Sequence, residues 1–218
     1  MAAVVDHVFV CCSEGAPEAD ALLGLGLVEG SANTHPGQGT ACRRFFFSNA
    51  YLELFWVRDP EEAQSDMVAP TRLWDRWSQR DQAASPFAVV LRPDEGDSAA
   101  TPPFESRSYR PEYMPLGSTI EMASGTLLSE PEIFYLGFQR DRARLGKEPT
   151  DHEPPLRSLI RVTVWTPAAP SAAARAIADT GFFDLLQGEA HLMELRFDGG
   201  RRPGQADLRP DLPLILSW

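Results

Sequence analysis

Val4-Val5-Asp6-His7-Val8-Phe9-Val10-Cys11 is the stretch that decides the fold, because it is apolar, β-branched and uninterrupted. Such a run predicts a strand. A short helix is predicted over residues 17–25, and residues 27–29 are a candidate for a short strand. Two further predicted strands, 41–47 and 51–57, are joined by a tight turn. The opening segment therefore has the element order β-α-β-β-β.

The end of the chain repeats this order. A predicted strand and an alanine-rich helix are followed by three more strand candidates, and the five segments are 159–165, 167–180, 182–186, 191–197 and 212–216. The opening strands overlay as His7-Val8-Phe9-Val10 on Arg161-Val162-Thr163-Val164. A repeated unit buries the open face of its sheet on another unit. We therefore predict an α+β fold of repeated βαβββ modules whose curved sheets enclose a pocket.

The middle of the chain is less regular. A helix is predicted at 70–80, and strands are predicted at 86–91, 119–123 and 133–138. Residues 94–103 form a predicted loop rich in Pro, Ala, Ser and Asp. We interpret it as a second module whose helix has been lost or replaced by the loop. The predicted division is 1–59, 60–155 and 156–218, all within one compact unit.

Composition excludes several classes of partner. The 218 residues carry a formal net charge of −11, which repels phosphate backbones and anionic membrane surfaces, so we expect no nucleic acid and no membrane partner. The longest apolar run, 45–57, is too short and too polar to span a bilayer. The N-terminus lacks a basic region followed by an apolar run, and we expect a cytoplasmic protein.

Alternation along two strands brings a histidine and a carboxylate to one side. His7 and Phe9 share a face of the first strand, and Tyr51, Glu53 and Phe55 share a face of the strand at 51–57. A buried carboxylate needs a cation or a hydrogen-bond donor. The His–Glu pair suits half of a divalent-metal site for Zn, Fe, Mn, Ni or Co, or a proton-transfer couple. The alternative is a core histidine beside a glutamate that pairs with Arg43 or Arg44.

Three motifs, taken in order, carry a family resemblance. Asp6-His7-Val8, His35-Pro36-Gly37-Gln38-Gly39-Thr40 and Tyr51-Leu52-Glu53-Leu54 resemble the vicinal-oxygen-chelate (VOC) superfamily, in its glyoxalase-like form. The resemblance covers the first sixty residues well, the middle loosely and the last third as a repeat. It implies the glyoxalase/bleomycin resistance/dihydroxybiphenyl dioxygenase fold, with His7 and Glu53 as metal ligands.

In that superfamily the partner module normally supplies a second His and Glu, and this chain departs from the pattern. Arg161 stands where the second His would fall, and residues 212–218 contain no carboxylate. Glu121 is the most plausible acidic group of the middle unit, as a third ligand or a base, and His35 is a loop residue expected near substrate. Arg161 would bind an anionic substrate if it points inward, or form a salt bridge at a sheet edge.

Three functions are compatible with these features. The first is a metal-dependent small-molecule enzyme that polarises a carbonyl, in the lyase, isomerase or epimerase, or dioxygenase class. The second is a non-catalytic protein of the bleomycin-resistance type, in which Phe9, Tyr51 and Phe55 hold a hydrophobic, planar or cationic ligand. The third is an interaction module, with the run 45–57 partly at a homodimer interface.

Overall fold

The computed structural model describes residues 3–94, 101–114, 117–137, 147–198 and 203–218. It contains two curved sheets, of eight and five strands, and few helices. The predicted α+β class with curved sheets is confirmed. The predicted loop at 94–103 lies partly outside the described residues.

The first sheet consists of two similar halves. The first half contains β1 (Ala3–Cys11), α1 (Ala19–Leu25), β2 (Asn33–His35), β3 (Thr40–Phe46) and β4 (Tyr51–Val57), and the second contains β5 (Phe87–Pro93), β6 (Ser106–Tyr109), β7 (Ile120–Ala123) and β8 (Glu132–Tyr135). The strand order is β2-β3-β4-β1-β5-β8-β7-β6. β1 is parallel to β4 and β5 is parallel to β8, while β1 and β5 meet antiparallel at the centre.

Short helices connect the halves. α2 (Pro60–Ala63) is capped by the Asp59 carboxylate, and a 3₁₀ turn (Ala69–Thr71) precedes α3 (Leu73–Ser78). The helix predicted over 70–80 is thus shorter, because Arg72 adopts a left-handed conformation, with φ of 58°, between the turn and α3. Trp77 of α3 donates its indole N–H to the Cys12 carbonyl at 2.7 Å, which fixes the helix against the end of β1.

The second sheet has its own arrangement of strands. It contains β9 (Ser158–Thr166), α4 (Ala172–Ala178), β10 (Asp184–Gln187), β11 (Leu192–Asp198), β12 (Gln205–Asp207) and β13 (Leu214–Ser217), in the order β10-β9-β11-β13-β12. β11 pairs antiparallel with β9, as β5 does with β1. The last segment therefore repeats the strand pairing at the centre of the first sheet and not that of a single βαβββ unit. The sequence did not reveal this arrangement, because alternation along a strand does not encode which strand it pairs with. The division into three units stays a prediction.

The main core lies between the two sheets. Val8, Val10, Leu52 and Leu54 of the first sheet are fully buried with Leu22 of α1, and the apolar face of the second sheet completes the cluster. Each such side chain stabilises the fold by about 1.5–3 kcal/mol. Much of the apolar run 45–57 is buried within the chain itself, so the homodimer stays a prediction.

The structure also corrects the shortest predicted elements. Residues 27–29 form no strand, because Leu27 N–H closes the end of α1 on the Leu22 carbonyl at 3.0 Å. The second strand is instead β2, and neither β6 nor β12 was expected. None of the helices in the described ranges is long and apolar enough to cross a membrane.

Candidate functional site

A β-bulge brings Asp6 and His7 together. Val5 pairs with Leu91 of β5 and His7 pairs with Val90, so Asp6 is the extra residue. In a regular strand the neighbours Asp6 and His7 would point to opposite faces, but the Asp6 Oδ1 atom lies 2.7 Å from His7 Nδ1. Asp6 is buried, and its second oxygen lies 3.5 Å from Arg92 Nε, which balances the charge.

His7 faces Glu53 across the paired strands β1 and β4. His7 Nε2 and Glu53 Oε2 are 4.0 Å apart and both residues are buried. The Tyr51 ring stacks on the imidazole with centroids 4.4 Å apart and planes 13° apart, which fixes the ring orientation. Burial, and then the Glu53 charge, raise the pKa of the Cys42 thiol, which therefore stays protonated and hydrogen-bonded to Glu53.

These side chains line a cavity of about 230 Å³ on the concave face of the first sheet. One side of the cavity is polar, and includes His7, Asn33, His35, Arg44 and Glu53. The other side is apolar, and includes Phe9, Phe55, Leu73, Val90, Ile120, Phe134 and Leu136. Phe9 and Phe55 stack with centroids 4.7 Å apart at the boundary between the two sides. The polar side comes from the first half of the sheet and most of the apolar side from the second.

A hydrogen-bonded group closes one end of the cavity. The side-chain oxygen of Gln38, Oε1, accepts from the hydroxyls of Tyr109, at 3.3 Å, and Tyr113, at 3.1 Å. His35 bonds Thr40 through Nδ1 and Asn33 through Nε2, each at 3.0 Å, and its ring lies against Tyr113. Burial raises the pKa of Tyr109 to about 12, with Glu112 contributing, so this hydroxyl remains a donor.

The glycine loop at 35–40 is held by its own chain. The amide groups of Gly37 and Gly39 donate to one Glu62 oxygen, at 2.9 and 3.0 Å. Gly39 has a φ of 72°, and a Cβ there would lie 2.3 Å from the Asp59 carbonyl oxygen. Only glycine fits this position without displacement of the backbone.

The structure brings six of the eight predicted site residues together: His7, Phe9, His35, Tyr51, Glu53 and Phe55 all line this cavity. Arg43 forms a bidentate pair with Glu29, at 2.6 and 2.8 Å, and Arg44 bonds Ser31, so Glu53 faces the cavity rather than pairing with either arginine.

Glu121 does not lie with these residues. Its neighbour Ile120 lines the cavity and Met122 packs in the same apolar cluster, so alternation turns Glu121 to the opposite face of β7. There it accepts hydrogen bonds from Ser106, Ser108 and Thr119. Burial raises the pKa of Glu121, but those three bonds outweigh it and lower the pKa overall.

Arg161 also lies elsewhere. It lines a separate cavity of about 400 Å³ between the two sheets, and its guanidinium forms a bidentate pair with Asp184, at 2.5 and 2.8 Å. The salt-bridged arrangement is therefore the one observed. We take the smaller, concave cavity as the candidate site, because it contains the buried polar groups that face each other.

The donor set does not fit a resident divalent metal. Such sites use three or four ligands, and the cavity offers His7 and Glu53 as a facing pair, while the ring nitrogens of His35 are bonded to Asn33 and Thr40. The inner faces of β5 and β8 place Val90 and Phe134 opposite them, and no group of three His, Cys, Asp or Glu residues close enough for a metal occurs within the described part of the chain.

Several residues of the site were not predicted from the sequence, among them Asp6, Gln38, Tyr109 and Tyr113. Asp6 depends on a bulge, which only the pairing with β5 reveals. Gln38 stands between the two glycines of its motif, and no feature of the sequence indicates that it is buried. The two tyrosines lie on and beyond β6, a strand that was not expected.

Comparison with known proteins assigns the fold to a family. A model described as "Glyoxalase-like domain" matches residues 5–116, just over half of the chain. The chain belongs to this glyoxalase-like family. The match starts within β1 and ends before β7, so it includes His7, Glu53 and the glycine loop. The resemblance inferred from the three motifs is confirmed.

One solved structure extends the likeness of this glyoxalase-like protein to its full length. The crystal structure of a hypothetical protein from Staphylococcus aureus aligns with 100% of this chain and 98% of its own, with a TM-score of 0.54 and 11% identity. At that identity the likeness concerns the fold alone. No curated protein matches the sequence.

Proposed function

We propose that this glyoxalase-like protein binds a small, largely aromatic molecule in the concave cavity of its first sheet. The observation that carries the proposal is the division of one cavity into an apolar side and a buried polar side. Small-molecule sites characteristically combine apolar walls with a few placed polar groups. This corresponds to the binding alternative rather than to the metal-dependent lyase, isomerase or dioxygenase.

The apolar side favours a planar ligand. Phe9 stacks on Phe55 and lies 6.4 Å from the Phe134 ring at a tilt of 40°. Aromatic pairs at such separations contribute about 0.5–1.5 kcal/mol beyond their burial. A flat ligand beside Phe9 would extend this cluster and exclude water from the polar groups next to it.

The test is a binding screen of aromatic compounds against wild type and Phe9→Ala, followed by calorimetry. We expect Phe9→Ala to weaken binding by about tenfold or more, because it removes the contact surface. Phe197→Ala is the matched control, since Phe197 is equally buried but packs on Phe47 in the main core. Equal affinities in wild type and Phe9→Ala, for every compound that binds, would reject the proposal.

A second candidate is an enzyme in which His7 moves a proton. The 2.7 Å contact between Asp6 and His7 favours it, because a carboxylate that orients an imidazole is a recurrent arrangement in proton transfer. The test follows deuterium exchange at an acidic C–H bond of a bound ligand by NMR. Asp6→Asn should slow this exchange about tenfold or more while the ligand still binds. Absence of exchange in wild type saturated with ligand would exclude this candidate.

A further inference from the structure

The contact between Asp6 and His7 determines which imidazole nitrogen carries the proton. An ionised carboxylate only accepts hydrogen bonds. The Asp6 oxygen 2.7 Å from His7 Nδ1 therefore places the proton of a neutral imidazole on Nδ1. The other nitrogen, Nε2, then presents a lone pair, and it is the nitrogen that faces Glu53.

With a neutral imidazole, two acceptors therefore face each other in the cavity. His7 Nε2 and Glu53 Oε2 are 4.0 Å apart, which is too long for a direct hydrogen bond. One ligand atom between them can bond to both. That atom must bring two hydrogens, since both neighbours accept. A hydroxyl has one donor hydrogen, whereas an amino or ammonium group has two or three.

The surroundings of the pair favour a positive group. Glu53 is buried at 5% exposure, so its charge requires compensation. Tyr51 and Phe9 lie on either side of the pair in the register of β1 and β4, and aromatic faces attract ammonium groups. Arg44 is the cation among the lining residues, but its guanidinium is bonded to Ser31 and lies over the Phe46 and Tyr51 rings, at 5.0 and 5.9 Å from their centroids.

We infer that the ligand carries a primary amino group, held between His7 Nε2 and Glu53, on an aromatic body that contacts Phe9 and Phe55. The inference rests on the proposed function and names its ligand class. The position at which the family resemblance predicts a divalent metal thus accepts an organic cation. Phe9 pairs directly with Glu53 across the strands, so we expect the amino group to lie close to the aromatic ring in the ligand.

Three naphthalene probes with the same ring test this inference by fluorescence titration: 1-naphthylmethylamine, 1-naphthalenemethanol and 1-naphthoate. We expect the amine to bind about tenfold or more tightly than either other probe. Glu53→Gln should reduce the preference for the amine to about threefold or less. Equal or tighter binding of the alcohol or the carboxylate to wild type would overturn the inference.

Asp6→Asn provides a second variant that does not depend on overall affinity. The asparagine amide can donate to Nδ1, which moves the imidazole proton to Nε2 and turns an acceptor into a donor. The preference should then shift from the amine toward the alcohol. An unchanged preference in folded Asp6→Asn, with folding checked by circular dichroism, would contradict the assigned tautomer.

The outcomes separate this inference from the proposed function. If Phe9→Ala weakens the binding of all three probes but wild type does not prefer the amine, the proposed aromatic binding site is supported and the amino-group assignment fails. If no naphthalene probe binds, both fail. A parallel titration uses Mn²⁺ alone on protein treated with chelator. Near-stoichiometric Mn²⁺ binding that disappears in Glu53→Gln would assign the two acceptors to a metal and overturn the inference.

Discussion

The two sheets carry a basic and an acidic residue at equivalent positions, but the two side chains form a direct ion pair only in the second sheet. The central strands β4-β1-β5-β8-β7 of the first sheet match β10-β9-β11-β13-β12 of the second in their parallel and antiparallel neighbours. Both sheets carry a bulge next to the central pair, with Asp6 extra in β1 and Ile160 extra in β9. His7 therefore corresponds to Arg161.

The register extends this correspondence to the acidic partner. Phe9 pairs with Glu53, and Thr163, two residues after Arg161, pairs with Asp184. In the second sheet the basic and acidic groups are 2.5 Å apart, with the Arg161 side chain 63% exposed. In the first they are 4.0 Å apart and buried. Arg161 and Asp184 therefore form a direct ion pair, whereas a gap remains between His7 and Glu53 in which a ligand atom can lie.

The difference teaches that strand topology alone does not make a site. The first sheet adds β2 and β3, the glycine loop and the segment around Tyr113, and these cover its concave face. The second sheet has neither β2 nor β3 equivalents in the described residues, and the Arg161 side chain on its corresponding face is 63% exposed. The four predictions below test this contrast.

The largest effect is expected from Gly39→Ala, which disturbs the wall of the first sheet. The new Cβ would meet the Asp59 carbonyl oxygen at 2.3 Å, and we expect the free energy of unfolding to fall by about 3 kcal/mol or more. Gly15→Ala is the matched control, with a φ of 77° and no atom within 4 Å, and should cost about 1–2 kcal/mol. Urea denaturation measures both, and equal costs would contradict a close contact at Gly39.

His7→Arg should convert the first pair into the second. The guanidinium reaches Glu53, forms a direct ion pair and fills the polar side of the cavity, so affinity for an aromatic ligand should fall about tenfold or more. The reciprocal Arg161→His should leave affinity unchanged. Calorimetry with a ligand from the binding screen checks both variants. Retained affinity in His7→Arg would contradict the claim that the gap between His7 and Glu53 distinguishes the two sheets.

Asp184→Asn should have a small effect, because the pair that it removes is accessible to water. Arg161 and Asp184 side chains are 63% and 31% exposed. Exposed ion pairs contribute about 0–1 kcal/mol and are screened by salt. Thermal unfolding at low and high salt measures the change. A loss that is large and independent of salt would mean that the second pair also supports the fold.

The smallest effect is expected from metal removal. Elemental analysis of the purified protein should find less than one equivalent of Zn, Fe, Mn, Ni or Co, and treatment with chelator should leave thermal stability unchanged, because two donors hold such ions weakly. His7→Ala and Glu53→Ala are the controls. Near-stoichiometric metal in wild type that disappears in both variants would instead support the hypothesis of a metal-dependent enzyme.

The sequence predicted the part of the site that depends on strand periodicity. Alternation in β1 and β4 placed His7, Phe9, Tyr51, Glu53 and Phe55 on one side, and the structure has all five in one cavity. Those strands have nine and seven residues, which is long enough for alternation to define a face.

The remaining features depend on tertiary contacts that periodicity does not carry. Glu121 was expected near the site, but alternation over the four residues of β7 does not show which of its two faces meets the cavity. The closeness of Asp6 to His7 arises from the pairing of β1 with β5, and the antiparallel pairing of β11 with β9 is equally a property of the assembled sheet.

The bond between Glu62 and the glycine loop has a consequence for ligand selection. Backbone amide groups that converge on one oxygen form an anion-binding site of the kind that holds phosphate in other proteins. In this loop they are the amides of Gly37 and Gly39, while the Gln38 amide donates to the His35 carbonyl. Here a carboxylate of the same chain already fills that site, with contacts of 2.9 and 3.0 Å. A phosphorylated metabolite would have to displace Glu62 to be held there. The Glu62 carboxylate thus keeps these two amide groups from binding an external anion.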